Sequence, residues 1–246
     1  MSLEIDQLRR RAATALAAAL ATGVLVRAGG LIVPSAAARA AKKDEGDEDV
    51  TATEDLMREH GVLRRTLIVY SELSARLRSH GGQVDPAALA DAAKLFREFG
   101  EQYHERALEE QYIFPEIRKA GGPNERLVEV LLIQHQRGRE ITDYISAVAA
   151  RGRIAGDAAP LADTLAAMAR MYQAHSAFED TIIFPAWKKV QGKARLEELA
   201  EKFEEIERQQ FGKDGFDDAV ERIGRIEQAL GLADLGTYTA PHPPKP

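Results

Sequence analysis

The sequence predicts an all-α protein built on an up-down-up-down four-helix bundle, and three observations lead to this fold class. A high content of Ala, Leu, Glu and Arg with only 6% aromatic residues favours helices over sheets. Apolar residues recur at helical spacing in four long segments, and no segment alternates with period two. The segments also form a tandem repeat, because the second pair follows the first at an offset of 70 to 75 residues.

Each of the four helices has its own start and stop signals. The first spans about 53–79, with Thr53 as its N-terminal cap and two glycines after it. The second runs from Asp85-Pro86, where the acid caps the helix and proline fits its first turn, towards Lys119. The third covers about 124–150 and the fourth 157–190, with glycines in the intervening loops. Short polar loops make consecutive helices antiparallel neighbours.

The remaining segments differ from the bundle in composition. Two further amphipathic stretches, 196–210 and 216–230, predict extra C-terminal helices packed outside the bundle, and the proline-rich tail is too poor in helix formers to continue them. The predicted domains are 1–40 for an export signal or membrane anchor, 41–52 for a charged linker, 53–191 for the bundle, 192–232 for the helical extension and 233–246 for a flexible tail.

The N-terminal 40 residues indicate a location. Arg9-Arg10-Arg11 precedes the apolar run 12–26, and small residues follow at 34–40, a pattern typical of a bacterial export signal. We therefore expect a periplasmic or exported protein, and the paired arginines allow the twin-arginine route. Two alternatives stay open. One is an uncleaved helix that anchors the chain to the membrane, although the run is shorter than the roughly 20 residues of a comfortable span. The other is a soluble helix.

Composition excludes several classes of partner and chemistry. A net charge of −6 argues against a nucleic-acid partner, which would need a basic face. The chain has no cysteine, so disulfides, thiolate metal sites and cysteine nucleophiles are excluded. A membrane is expected as a partner only through an uncleaved N-terminal helix. Nothing in the sequence specifies an oligomeric state.

Two related segments, 104–115 and 175–185, carry the chemistry. Each begins with a histidine, continues with a glutamate and ends in Phe-Pro, and each follows a lone histidine by about 40 residues. Inward positions of a bundle are normally apolar, so buried imidazoles and carboxylates need partners, and a pair of metal ions would provide them. Nitrogen and oxygen ligands together suit iron or manganese. The candidate metal ligands are His60, His104, Glu109, His135, His175 and Glu179.

These residues also carry a resemblance to a known family. The matching positions are Glu59-His60, His104 with Glu109-Glu110 and Phe114-Pro115, His135, and His175 with Glu179 and Phe184-Pro185. From about Thr53 to Val190 the chain resembles hemerythrin-like proteins with HHE cation-binding domains. The resemblance implies a non-heme di-iron centre, with two iron ions bridged by an oxo or hydroxo group and two carboxylates. Such a centre interacts with oxygen, peroxide or nitric oxide. Manganese is an alternative metal.

The first departure from that family concerns a fifth histidine. Oxygen-carrying hemerythrins have one a turn after the third-helix ligand, where this chain has Arg139. The remaining set of four histidines and two glutamates is similar to the symmetric sites of bacterial iron–sulfur-centre repair proteins, whose cysteine-bearing N-terminal domain is missing here. Reversible oxygen carriage is therefore not the favoured interpretation.

The second departure is a one-residue difference in spacing. His104 and Glu109 are five residues apart, whereas His175 and Glu179 are four apart and share a helix face. On a regular helix five residues turn through about 500°, which places Glu109 roughly 140° from His104. We predict a π-bulge between Tyr103 and Glu109 that restores both to one face. In a regular helix Glu105 or Leu108 would point inward instead.

The residues that flank the candidate ligands are expected to have structural roles. The neighbouring acids are expected to face solvent or to accept hydrogen bonds from the ligand imidazoles, the nearby tyrosines to pack in the core, and the Phe-Pro pairs to kink and cap the helices. His80 and His242 are expected to be exposed. These acids are Glu59, Glu105, Glu110 and Asp180, and the tyrosines are Tyr103, Tyr112 and Tyr172.

Three functions stay open. The chain is a di-iron protein that senses, stores or scavenges a small ligand, or an oxidoreductase of peroxidase-like or nitric-oxide-reducing type, or an iron donor or store. A fourth hypothesis is a metal-free bundle that serves only as an interaction module. The sequence does not decide whether the protein is an enzyme.

Overall fold

The computed structural model describes residues 50–80 and 84–244, except the side chains of His80 and Ala155. The predicted export signal or anchor and nearly all of the charged linker lie outside the described residues. Within them, none of the helices has the length and apolar character needed to cross a membrane.

The first helix, α1, spans Ala52–His80. Its cap is Thr51 rather than the predicted Thr53. The Thr51 hydroxyl accepts a hydrogen bond from the Glu54 backbone N–H at 3.3 Å, and the Glu54 carboxylate accepts one from the Thr51 backbone N–H at 3.0 Å. This reciprocal capping box explains why the helix begins two residues earlier than expected.

The second helix, α2 (86–120), is continuous but changes its hydrogen bonding. Pro86–Leu95 is α-helical, Phe96–Ile113 is π-helical and Phe114–Ala120 is α-helical again. Asp85 caps it as predicted, by accepting a hydrogen bond from the Ala87 backbone N–H at 2.9 Å. The third helix, α3, spans Asn124–Ala149. The fourth, α4 (158–191), follows a 3₁₀ turn at Ala155–Asp157 and consists of Ala158–Phe178, a π turn at Glu179–Ile183, and Phe184–Gln191.

Both π segments end immediately before a Phe-Pro pair. Proline has no N–H to donate, and its ring clashes with the carbonyl four residues earlier in a regular helix. Widening the preceding turn relieves that clash, and the backbone N–H groups of Phe114 and Phe184 bond instead to carbonyls five residues back, at Glu109 and Glu179. The π-bulge predicted near His104 is confirmed and is longer than expected. The second π turn was not predicted.

The four helices form an antiparallel ring. Residue pairs across each interface run in opposite directions, as the short connections require. These pairs are Leu63 with Gly100 and Glu59 with His104 for α1 and α2, Arg97 with Asp143 and Arg118 with Glu129 for α2 and α3, Gly138 with Tyr172 and Gln134 with His175 for α3 and α4, and Ser74 with Ala162 and Arg64 with Asp180 for α1 and α4. The up-down-up-down arrangement is therefore present in the described residues.

Two further helices cover one side of the bundle. They are α5 (Lys193–Phe211) and α6 (Gly215–Leu230), and a 3₁₀ turn at Leu235–Tyr238 follows. Phe203 of α5 packs between Tyr112 and Trp187, with ring centroids 5.5 and 6.0 Å away. These contacts close the core next to the two Phe-Pro segments.

Glu207 on α5 provides a test of how this extension is packed. It accepts a hydrogen bond from the Phe216 backbone N–H at 2.7 Å. Burial raises its pKa from 4.5 to about 7, and the nearby carboxylates add to this effect. A raised carboxyl pKa means that the native state holds the proton more tightly, so this stabilising contribution is complete below pH 4.5 and is lost as the pH rises through about 7.

We therefore expect Glu207→Gln to increase the free energy of unfolding at pH 8 and to have little effect at pH 4. The full shift corresponds to about 3 kcal/mol, and because the side chain is partly exposed we expect about 1 kcal/mol. Urea unfolding at the two pH values measures the difference. Glu201→Gln, at an exposed position of the same helix, is the control. A gain of equal size at both pH values would contradict the assignment.

Candidate metal centre

The six predicted ligand residues meet in the middle of the bundle, and each is at most 3% exposed. One histidine comes from each helix of the ring, and α2 and α4 each add a glutamate. The sequence places them there because the apolar stripes of the four helices face one another, and these residues lie on those stripes. The six are His60, His104, Glu109, His135, His175 and Glu179.

The four imidazoles form two pairs through their inner nitrogens. His60 Nε2 lies 3.0 Å from His104 Nε2, and His135 Nε2 lies 3.1 Å from His175 Nε2. The first pair joins α1 to α2 and the second joins α3 to α4. Two nitrogen ligands that point to one place are typical of half of a dinuclear site.

Each carboxylate contacts both pairs. Glu109 lies between them, with Oε1 3.4 Å from His104 Nε2 and Oε2 3.3 Å from His135 Nε2. Glu179 also contacts both pairs, but through a single oxygen: its Oε2 lies 3.4 Å from His60 Nε2 and 3.1 Å from His175 Nε2. The π turns allow this arrangement, because the wider turn at His104 brings Glu109 back onto its inner face despite the five-residue spacing.

The carboxylate oxygens show that this site suits cations. Both glutamates are fully buried, and none of their four oxygens has a hydrogen-bond partner among the described residues. A buried carboxylate without donors is costly, and a cation between each histidine pair would compensate it. Two groups of these side chains place their ligand atoms within 4.8 Å of one another, namely Glu109-His135-His175-Glu179 and His60-His104-Glu109. The residues present therefore fit two metal ions with mixed nitrogen and oxygen ligands.

The outer nitrogen of each imidazole is held by a side-chain oxygen. Such bonds fix the ring and leave the Nε2 lone pair directed inward. Three acceptors are carboxylates and the fourth is an amide. The Nδ1 contacts are His60 with Asp180 at 2.7 Å, His104 with Glu59 at 2.5 Å, His135 with Glu110 at 3.0 Å and His175 with Gln134 at 2.9 Å.

These contacts follow the internal repeat. The residue before each lone histidine, Glu59 or Gln134, holds a histidine on the next helix. An arginine four residues after each lone histidine bonds the acid that holds it, so that Arg64 contacts Asp180 and Arg139 contacts Glu110. Sequence reasoning missed Gln134 and Arg64. The signal that finds them is the 75-residue offset from Glu59-His60 and Arg64 to Gln134-His135 and Arg139.

The two Phe-Pro segments contribute more than helix caps. Phe114 stacks on His135 with centroids 5.5 Å apart, and Phe184 stacks on His60 at 5.3 Å. Each phenylalanine therefore covers the lone histidine of the other half of the repeat. These contacts restrict the orientation of both rings and exclude water from one side of each.

The electrostatics of the site couple its histidines to its acids. Burial lowers the pKa of His135, but the carboxylates of Glu105, Glu109 and Glu110 outweigh it and raise that pKa to about 10. Burial raises the pKa of Glu179, and the neighbouring His175 and His60 outweigh it and hold the pKa well below its usual value. Without bound metal, protons on His60, His104 and His135 would balance the carboxylates. Metal binding would displace those protons.

Glu105 has a role that the sequence did not predict. Its carboxylate accepts a hydrogen bond from the Tyr172 hydroxyl at 2.7 Å and lies 3.3 Å from Arg139 Nη2. Tyr172 reaches it only because Gly138 has no side chain, since a Cβ there would lie 2.8 Å from the tyrosine Cζ. Tyr172 was expected only to pack, and it instead joins a buried polar network beside the site.

A small cavity opens next to the histidines, with about 10 Å³ available to the centre of a water-sized sphere. That volume is about enough for one water molecule. His60, His104 and His175 reach it, so a ligand there would lie against both histidine pairs. The other lining residues are Leu63, Arg64, Leu67, Glu105, Tyr172 and Ser176.

Comparisons with known proteins agree with this geometry. A family model described as the hemerythrin HHE cation binding domain matches residues 51–187, more than half of the 246-residue chain. The proteins named "Uncharacterized protein Rv1995" from Mycobacterium tuberculosis and "Uncharacterized protein Mb2018" from Mycobacterium bovis are each 43% identical over 199 residues, which are 79% of this chain and 76% of each relative. No solved structure matches the chain. The chain belongs to the hemerythrin family with the HHE cation-binding domain.

Proposed function

We propose that this protein holds two iron ions between its histidine pairs and that a small ligand reaches them through the adjacent cavity. The observation that carries the proposal is the set of four buried carboxylate oxygens without a hydrogen-bond partner among the described residues, three of which lie 3.1–3.4 Å from imidazole Nε2 atoms. His60 and His104 would hold one ion, and His135 and His175 the other, with Glu109 and Glu179 shared. Bound iron would supply redox chemistry and coordination positions for oxygen, peroxide or nitric oxide.

The protein's own residues define what such a centre can do. The Nδ1 partners and the stacked phenylalanines keep the imidazoles fixed, so the ligand nitrogens need no rearrangement to accept a metal. Leu63 and Leu67 exclude bulk water from the cavity, and both are at most 5% exposed. Complete burial of the ligand set favours retention of the metal over its release. We therefore favour binding or scavenging of a small ligand over iron storage or donation.

Metal analysis of the full chain tests this proposal. We expect about two irons per chain, as a dinuclear bundle site requires, and an absorption spectrum that changes when azide or peroxide is added. His60→Ala and Glu179→Ala should each lower the iron content, whereas His242→Ala in the exposed tail should not. Substoichiometric metal that is unchanged by the first two variants would overturn the proposal.

A further inference from the structure

One face of α3 is apolar at its centre and open. Ile133 is 67% exposed and Val130 44%, and Phe178 of α4 is 49% exposed. Val130 and Phe178 line one groove between α3 and α4, and Ile133 lies one turn further along α3. Within the described part of the chain, α5 and α6 pack on α1, α2 and the end of α4 instead. Single exposed apolar side chains are common, but adjacent ones mark an interaction site.

The internal repeat shows how this face of α3 differs from its counterpart on α1. The 75-residue offset relates Val130 to Asp55 and Ile133 to Arg58. The α1 positions border the C-terminal helices, and the Arg58 guanidinium lies over the Phe216 ring at 4.3 Å from its centroid. The face that borders a packed helix therefore carries charged side chains, whereas the open face carries apolar ones. This composition is typical of a surface that meets a partner.

The charges on either side of Ile133 identify a second copy of this chain as that partner. An arginine and a glutamate precede it by seven and four residues, and an arginine and a glutamate follow it by four and seven. All four are exposed and lie on the same stripe of α3 as Ile133. When a second copy crosses antiparallel at Ile133, Glu129 faces Arg137 and Arg126 faces Glu140 of the other chain. Every pair then combines opposite charges.

Other arrangements of the same two helices bring like charges together. A parallel pair in register places Glu129 against Glu129 and Arg137 against Arg137 of the second copy. An antiparallel pair shifted so that Val130 faces Ile133 places Arg126 against Arg137. Juxtaposed like charges disfavour both arrangements. The crossing at Ile133 is therefore the favoured one.

These charged side chains have only weak partners within the chain. Arg118 Nη2 lies 2.5 Å from Glu129, and Arg137 Nε lies 3.4 Å from Glu140. The four side chains of these two pairs are 42–64% exposed, and ion pairs that are this exposed add little to stability. Both pairs can be shared with, or exchanged for, contacts to a second copy.

We infer that the protein forms a symmetric dimer in which α3 crosses α3 of a second copy antiparallel at Ile133. Val130, Ile133 and Phe178 supply its apolar centre, and two copies of each ion pair surround that centre. A twofold axis requires one patch that is complementary to itself, as this stripe is. The groove beside it reaches Gln134 and His175, so the dimer also covers the metal centre where α3 meets α4. The inference goes beyond the proposed function and does not depend on which ion is bound.

Sedimentation equilibrium of the full chain tests the dimer. At about 100 μM we expect the natural chain to have twice the mass of one chain, since an interface of this size suits a micromolar dissociation constant. Glu129→Arg should raise that constant at least about tenfold, because it places arginine against arginine in both symmetric pairs. Arg137→Glu should do the same. The double variant restores opposite charges and should dimerise within about threefold of the natural chain.

Apolar contact at the axis has its own variant and control. Ile133→Asp should make the chain monomeric at the same concentration, because two carboxylates would meet at the crossing point. Ile68→Asp, at a 40% exposed position of α1, is the control for the apolar change. Glu221→Arg and Arg225→Glu are the controls for the charge changes, since these residues form an exposed pair on α6 at 3.5 Å. All three controls should leave the dissociation constant unchanged.

A natural chain that stays monomeric overturns the inference. A dimer that Glu129→Arg and Ile133→Asp leave intact also overturns it, because another surface then holds the two copies together. Failure of the double variant to recover overturns the antiparallel crossing. Iron content is measured in the same samples, and a chain that dimerises as described without binding iron contradicts the proposed function alone.

Discussion

Replacing Glu109 with alanine is expected to remove metal from both positions of the site. Glu109 is the residue whose two oxygens face different histidine pairs, at 3.4 Å from His104 Nε2 and 3.3 Å from His135 Nε2. Without it each ion loses a carboxylate ligand and the two positions lose a connection between them. We expect iron content to fall from about two to below about one per chain, because a dinuclear bundle site depends on shared carboxylates.

The same variant should lose the stabilisation that bound metal provides. An ion that binds only the native state raises the unfolding temperature, and chelation of the natural chain should lower it. Glu109→Ala should show the lower temperature with or without a chelator. Glu116→Ala, at a partly exposed position of the same helix, should behave like the natural chain. Equal iron content and an equal response to chelator in the two variants would contradict a bridging role for Glu109.

The second large effect is expected at Gly138, where an added methyl group has no space. A Cβ at this position would lie 2.8 Å from Tyr172 Cζ and 2.9 Å from its Cε2, and Tyr172 is only 3% exposed. We expect Gly138→Ala to lower the free energy of unfolding by about 2 kcal/mol, as overpacking in a buried interface does. It should also break the hydrogen bond from Tyr172 to Glu105 and disturb His135, which lies one turn earlier.

Gly61→Ala is the matched control, since a Cβ there meets nothing within 4 Å. Alanine is the better helix former, so this variant should gain up to about 1 kcal/mol. Chemical unfolding of the two variants with an absorption spectrum of each measures both effects. A neutral or stabilising result at Gly138 would show that Tyr172 does not occupy the position described.

The fold could be predicted because its signals are local. Apolar periodicity and the Gly and Pro stops placed the four bundle helices and the two extra helices within a few residues of their observed bounds. The first helix cap was assigned wrongly, because Thr51 and Thr53 are both good caps and only Thr51 has Glu54 in reach. The π turn at Glu179–Ile183 gave no signal, since a four-residue spacing also fits a regular helix.

The site was predictable only where its residues are unusual for a core. Histidines and glutamates that recur at matching positions of the two repeats are unusual in a core, and the structure brings all six predicted ligand residues together. Gln134 and Arg64 are not distinctive in the sequence, because a neutral amide and a partly exposed arginine are common on any helix. Their roles become visible when the two halves of the repeat are compared and each residue is aligned with Glu59 or Arg139.

Anomalous diffraction at the iron edge from crystals of the iron-loaded chain tests the central claim most directly. We expect two peaks about 3.5–4 Å apart, the usual separation in two-metal sites. One should lie between His60 and His104 and the other between His135 and His175, with Glu109 in contact with both. A single peak, or peaks away from these histidine pairs, would contradict the dinuclear site.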